Sequence, residues 1–242
     1  MTRVFKSVLV SVLLSLSVVS LFAQRGSHEK WGLPSNDGII IKRGEFVYSF
    51  NKNTGFSNWV LHRLGKDDFG PVPRFHGPFF KDSLLPSDVS RPTNTDFEKS
   101  GYDKGHAVRS EERTTTNEAN RQTFVMSNVF PQTPELNRGP WLDCERWVEK
   151  MCKDSTYEYW IIVGSVYEKG KTEYLNKKNQ SFLVPQWVYK IMLVKKTDGS
   201  MEKIAVLMPN INGIRRLDWK SYIVPISKVE ELTGYKFFPN VK

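Results

Sequence analysis

The chain has 242 residues, with 35 Lys and Arg against 26 Asp and Glu, a formal charge of +9. That surplus favours polyanionic partners such as DNA, RNA or anionic lipid headgroups, and an aromatic content of 13% argues against intrinsic disorder. Only Cys144 and Cys152 occur, which excludes a disulfide framework and, without clustered histidines, argues against a structural zinc site.

The chain opens with a predicted signal peptide over residues 1–23. Arg3 and Lys6 precede an apolar run from Val8 to Phe22, and Leu21-Phe22-Ala23 supplies a small residue at the cleavage point. The run is shorter than the roughly 20 apolar residues that span a bilayer, and no later segment is apolar enough to do so. Export to the periplasm or the medium follows. The segment removed holds two basic and no acidic residues, so the mature chain keeps a formal charge of +7.

Residues 24–36 read as a flexible arm, and residues 37–242 as a single domain. Residues 39–50 have the apolar and aromatic content of a strand. Asn51-Lys52-Asn53-Thr54-Gly55 makes a turn, and residues 58–63 return as a second strand. Residues 66–95 are rich in Pro, Gly and Asp, which predicts an irregular excursion over the surface. Residues 139–153 carry Trp141, Cys144, Val148 and Met151 or Cys152 at helical spacing, with Pro140 where a helix begins. On one helix the two cysteines stand about 12 Å apart, beyond disulfide reach, so two buried thiols are expected. Strands are predicted over 157–166, 182–194 and 204–208, with a strand or turn near 222–226. A short helix follows at 226–232, with Ser227 as N-cap and Glu230 as its capping-box partner. These elements define an α+β fold with a central antiparallel β-sheet and flanking helices.

The segment that carries chemistry lies between the halves. Tyr102-Asp103-Lys104-Gly105-His106 is followed by Ser127-Asn128, Asn137-Arg138-Gly139-Pro140-Trp141 and Glu145. Phosphodiester hydrolysis needs an activated water, positive charge against the transition state, and help for the departing oxygen. His106 has an imidazole that can take a proton from water at physiological pH, and Lys104 can face a phosphate. Asn137 offers a hard amide oxygen suited to Mg²⁺, and Glu145 can hold a water of the metal shell. Gly105 would let a phosphate approach the backbone. Taken singly, His106 reads as a surface histidine at a strand end, Asn137 as a helix N-cap, Glu145 as a surface glutamate paired with Lys150, and Asn128 as a turn residue. The ordered combination points to a one-metal phosphodiester hydrolase.

In that combination the chain resembles the DNA/RNA non-specific endonuclease family, the ββα-metal (His-Me finger) nucleases. The likeness extends to Gly164-Ser165-Val166-Tyr167, Val184-Pro185, Tyr189-Lys190 and the stretch from Glu230 to Gly234, and so covers nearly the whole mature chain. The resemblance implies that His106 is the general base, Asn137 the direct Mg²⁺ ligand, Glu145 a residue reaching the metal through water, and Asn128 a support for base and substrate. Mn²⁺ or another divalent ion is an alternative to Mg²⁺. It implies cleavage of DNA and RNA with little sequence preference, leaving 5′-phosphate ends, with Lys104, Arg109 and Arg138 on the substrate phosphate.

Two positions depart from the family pattern. Lys104 stands where arginine is usual, which keeps the charge but loses the planar fork. Glu149 stands where some relatives carry arginine, one turn after Glu145, leaving Arg109, Arg138 or Arg146 to supply that charge. A catalytically weak or inactive nucleic-acid-binding protein on the same fold is the alternative, followed by a basic protein that binds anionic envelope polymers. The sequence leaves open the oligomeric state and whether an inhibitor protein protects the producing cell.

Overall fold

The computed structural model describes residues 27–155, 157–178 and 180–241. The predicted signal peptide lies outside them. The strands are β1 (Ile39–Lys42), β2 (Val47–Phe50), β3 (Ser57–Leu64), β4 (Asp103–His106), β5 (Val129–Gln132), β6 (Glu158–Val166), β7 (Tyr174–Asn176), β8 (Ser181–Leu183), β9 (Trp187–Lys195), β10 (Met201–Pro209) and β11 (Ile223–Val224). The helices are α1 (Asn94–Phe97), α2 (Asn117–Gln122), α3 (Pro134–Asn137), α4 (Pro140–Ser155) and α5 (Ile226–Thr233).

A seven-stranded antiparallel sheet in the order β1-β2-β3-β6-β9-β10-β11 organises the molecule. Its central strands are buried on both faces, so they read as continuous apolar runs rather than alternating ones. Alternate residues feed two separate cores. Val60, Ile161, Val163, Met192 and Val206 point to one; Trp59, Leu61, Trp160, Ile162, Ile191 and Leu193 point to the other. Helix α4 covers the first face with Trp141, Cys144, Val148 and Cys152, all buried, at the spacing expected of an apolar stripe. Each such side chain contributes about 1.5–3 kcal/mol for the larger apolar types. Both cysteines are free thiols.

The second core is closed by the chain ends. Trp31 packs edge-on against Trp160 with ring centroids 5.6 Å apart, and Val229, Phe237 and Phe238 join it from the C-terminal side. The described part of the segment read as a flexible arm, from residue 27 onward, is therefore anchored, because Trp31 and Leu33 bury apolar surface there. The irregular excursion of residues 66–95 is tied down by Asp82, a fully buried carboxylate. It accepts from Arg43 at 2.6 Å and from the hydroxyls of Tyr48 and Ser127 at 2.5 Å each.

Three further sequence expectations change. Residues 39–50 form two strands, because Arg43 N donates to Phe46 O and turns the chain back on itself, pairing Ile39 with Phe50. The run 182–194 breaks at Pro185, where a missing N–H ends the short β8 before β9 begins. Pro225, not Ser227, is the N-cap of α5, and Glu230 accepts from Phe237 N and Lys236 Nζ instead of closing a capping box.

Candidate active site

Strands β4 and β5 form a two-stranded antiparallel sheet apart from the main one, with Gly105 opposite Phe130 and His106 opposite Val129. Gly105 lies against the Gln132 side chain, which would have to move to admit a Cβ. A Cβ there would stand 2.0 Å from the Gln132 Oε1, so the space read as open to a phosphate is filled by Gln132. Asn128 is fully buried and clamps the segment after His106. Its backbone oxygen accepts from Ala107 N at 2.8 Å and its Oδ1 from Val108 N at 3.0 Å, while its Nδ2 donates to the carbonyls of Val108 and Thr123.

After β5 the chain turns through α3 and then α4. Thr133 caps α3, accepting from Leu136 N at 3.3 Å. Its own backbone N–H donates to Asn210, whose amide also holds the carbonyls of Pro131 and Pro185 at 2.9 Å each. Asn137 is thus the last residue of α3, not the N-cap of the long helix, and Glu145 stands on α4. The eight-residue spacing between them is not two turns of one helix; Arg138 and Gly139 break it. A Cβ at Gly139 would meet Glu135 O at 2.4 Å and Arg215 O at 2.6 Å, so only glycine lets the two helices join this closely.

These elements converge on a cavity of about 210 Å³ lined by Lys104, His106, Arg109, Asn137, Arg138 and Glu145, together with Arg74, Glu111 and Leu142. Six of the seven site residues expected from sequence meet there. Asn128 stands behind the wall. Arg146 is turned outward, exposed and 3.9 Å from Asp143, so it supplies no charge to the cavity. Arg74, Glu111 and Leu142 went unread in the sequence; Arg74 sits in the Pro-rich excursion, where no periodicity marks it.

Asp103 organises one side. Its Oδ2 accepts from Asn137 Nδ2 at 3.0 Å and from Arg138 Nε at 2.8 Å, and its Oδ1 accepts from Arg138 Nη2 at 2.7 Å. With the nitrogen of the Asn137 amide engaged, its oxygen is the atom left for a ligand. Glu145 is buried on the other side, 3.2 Å from Arg109 and 3.7 Å from Lys190. Burial raises its pKa to about 7 against the pull of those two cations. Arg109 also meets Glu149 at 3.1 Å and Glu111 at 3.6 Å, so it faces the cavity already held by carboxylates. Lys190 is nearly fully buried, its ammonium 4.6 Å from the Trp141 ring centre.

His106 lies between Phe79 and Phe124, with ring centroids 4.9 and 5.1 Å away. Its Nε2 is buried without a hydrogen-bond partner. Burial first, then the charge of Arg74, lowers its pKa to about 3, so the imidazole is neutral at physiological pH. Among the described residues no cluster of three or more His, Cys, Asp or Glu stands ready for a metal. A cation here would rest on the hard oxygens of Asn137 and Glu145 and on water, a donor set suited to Mg²⁺, which takes oxygen ligands and keeps several waters.

One imidazole, one free amide oxygen and four cationic side chains around a single recess have the chemistry of a phosphate-ester site. The sequence model of the DNA/RNA non-specific endonuclease family matches residues 24–242. A nuclease of Nostoc sp. is 33% identical over 213 residues, covering 85% of this chain and 75% of the relative. Mitochondrial endonuclease G of Bos taurus is 26% identical over 227 residues, covering 89% and 74%. Among solved structures, a chain of the EndoG/EndoGI complex superposes with a TM-score of 0.81 at 24% identity, covering 90% of this chain and 92% of the other; that likeness bears on the fold alone. The chain belongs to the DNA/RNA non-specific endonuclease family. It is accordingly a nucleic-acid endonuclease, of a family that depends on a divalent metal. Among the described residues, no helix is long and apolar enough to cross a membrane.

Proposed function

We propose that this chain is an exported, Mg²⁺-dependent endonuclease that hydrolyses DNA and RNA without sequence preference and leaves 5′-phosphate ends. The observation that carries this reading is the joint placement of His106 and an oriented Asn137 in the lining of one cavity.

In this reading His106 accepts a proton from the attacking water. The orphaned Nε2 is turned into the protein, which leaves Nδ1 as the nitrogen for that transfer. Asn137 would hold the metal directly through its amide oxygen, and Glu145 would reach it through water, its carboxylate steadied by Arg109 and Lys190. Mg²⁺, when bound, supplies positive charge beside the reacting phosphate. Lys104 and Arg138 add charge from the protein side, and backbone recognition of this kind carries no base preference. Export rests on the sequence of residues 1–23. The tie of Arg109 and Arg138 to carboxylates supports the second reading, a nucleic-acid-binding protein of weak turnover.

The test is incubation of the purified protein with supercoiled plasmid and total RNA, with Mg²⁺ or with EDTA, alongside His106→Ala and Asn137→Ala. Loss of a general base costs about 10²-fold or more, so His106→Ala is expected to leave the plasmid supercoiled, and Asn137→Ala to lose metal dependence. Full Mg²⁺-dependent cleavage by His106→Ala would remove His106 from its role. A gel shift without cleavage by the wild-type protein across several divalent metals would favour the second reading.

A further inference from the structure

Beside the cavity that holds His106 lies a larger one, of about 390 Å³, whose outer walls are Phe79, Phe97, Glu98 and Tyr102. The two cavities share Lys104, Asn137 and Arg138. A strand whose phosphate rests on that shared wall therefore presents an adjoining nucleotide to the second cavity. Its lining divides by chemistry. The Lys104 ammonium stands 5.5 Å from the Phe79 ring centre and 5.3 Å from that of Phe97, at the boundary between cationic wall and aromatic recess. Glu98 is exposed on the same cavity, while the Asp103 carboxylate is taken up by Arg138 and Asn137, so Glu98 is the carboxylate that disfavours a second phosphate there. The portion of a nucleotide that suits the recess is its uncharged, flat part.

Aromatic rings stack on the face of any base, a mode of recognition typical of single-stranded nucleic acid. In a duplex those faces are covered by neighbouring pairs, so a base can enter only when unpaired or turned out of the stack. We propose that the recess walled by the half-buried rings of Phe79 and Tyr102, with Phe97 buried behind them, is a subsite for an unpaired nucleobase next to the scissile phosphate, which makes single-stranded DNA and RNA preferred over intact duplex. This inference rests on the nuclease reading.

The test reads the wild-type protein against single-stranded oligonucleotides in Mg²⁺, each carrying one abasic residue at a known position, and resolves products bond by bond. Loss of one base–ring stack is expected to slow the bond flanking the abasic residue about tenfold. In parallel, Tyr102→Ala is expected to lower the ratio of single-stranded to duplex cleavage about tenfold. Tyr102→Phe keeps the ring, loses only the hydroxyl bonded to Glu173, and is expected to retain the wild-type ratio. Cleavage at every bond around the abasic residue at the control rate would overturn the subsite, as would Tyr102→Ala slowing both substrates alike. Should Tyr102→Ala fail to fold, the abasic ladder decides. Absence of any cleavage by the wild-type protein would instead overturn the nuclease reading itself.

Discussion

Asp103→Ala isolates what holds the Asn137 amide in place. In the wild-type protein one carboxylate fixes both Asn137 and Arg138 through three contacts of 2.7–3.0 Å. The Arg138 side chain is 57% exposed, so breaking that ion pair costs at most about 1 kcal/mol of stability. The bond from the Asn137 amide is different. A hydrogen bond to a charged group contributes about 1.5–3 kcal/mol, and here it decides which amide atom faces the cavity. Removing it leaves the amide free to turn, and that range of energies corresponds to about a 10- to 100-fold loss at 1.4 kcal/mol per decade, matching what is typical for residues that orient a metal ligand. Plasmid cleavage followed across a Mg²⁺ titration, beside a thermal melt, separates the two effects. Asp103→Ala should need more Mg²⁺ for half-maximal rate and lose 10- to 100-fold in activity, while its melting midpoint moves by only a few degrees. Wild-type rate and wild-type Mg²⁺ dependence in this variant would refute the reasoning, because the amide would then be oriented by something else.

Acid should weaken the metal-free protein over a defined window. Burial holds the pKa of His28 and His106 at about 3 and lowers that of His62, and these three groups outweigh Glu145, which burial raises to about 7 and which acts in the opposite sense; between about pH 6.5 and 3 the unfolded chain therefore binds more protons than the folded one, and stability falls as pH descends through that window. Melting midpoints in EDTA at pH 7, 6 and 5 should decrease in that order, and a flat profile would contradict the burial of these rings. Gly164→Ala should destabilise the sheet by about 1–3 kcal/mol, because the new Cβ would stand 2.2 Å from the Tyr189 hydroxyl and 2.6 Å from the Asn58 carbonyl; urea unfolding measures this. Cys144 and Cys152 are buried thiols, the former pushed up to about 12 by burial, so a thiol reagent should label neither until denaturant is added, and reductant should leave the melting midpoint unchanged.

The positions of the main strands along the chain and the extent of α4 were legible because their signals are local: runs of β-branched and aromatic residues, and a stripe at helical spacing opened by Pro140. The boundaries that shifted depend on contacts the local pattern does not carry. The turn in residues 39–50 was marked only by Gly44 among the charged Lys42, Arg43 and Glu45, a short signal inside a longer apolar run, and it is the backbone bond from Arg43 to Phe46 that closes it. The site residues were found as types in order, yet their geometry was not. Asn137 and Glu145 come together through a break at Gly139, and the partner of Asn137 is Asp103, 34 positions earlier. Lys190 was noted only as part of a longer likeness, and its burial against Glu145 and Trp141 follows from the pairing of β9 with β6. Arg74 and Asn210 act across long loops, where sequence distance hides spatial proximity.

The two cores of the sheet also settle the directions from which the molecule can be held. The described ends of the chain meet on the face away from α4: Lys236 N donates to Pro34 O at 3.0 Å and Asn240 N to Trp31 O at 3.2 Å. Both cavities that contain Lys104 draw on β4 and α3 on the opposite face, with α4 joining the one that holds His106 and α1 the other. A tether at either end, whether an affinity handle or a surface linkage, thus leaves the path of a long polymer to His106 unobstructed, and a bead-bound enzyme should digest plasmid as readily as a short oligonucleotide.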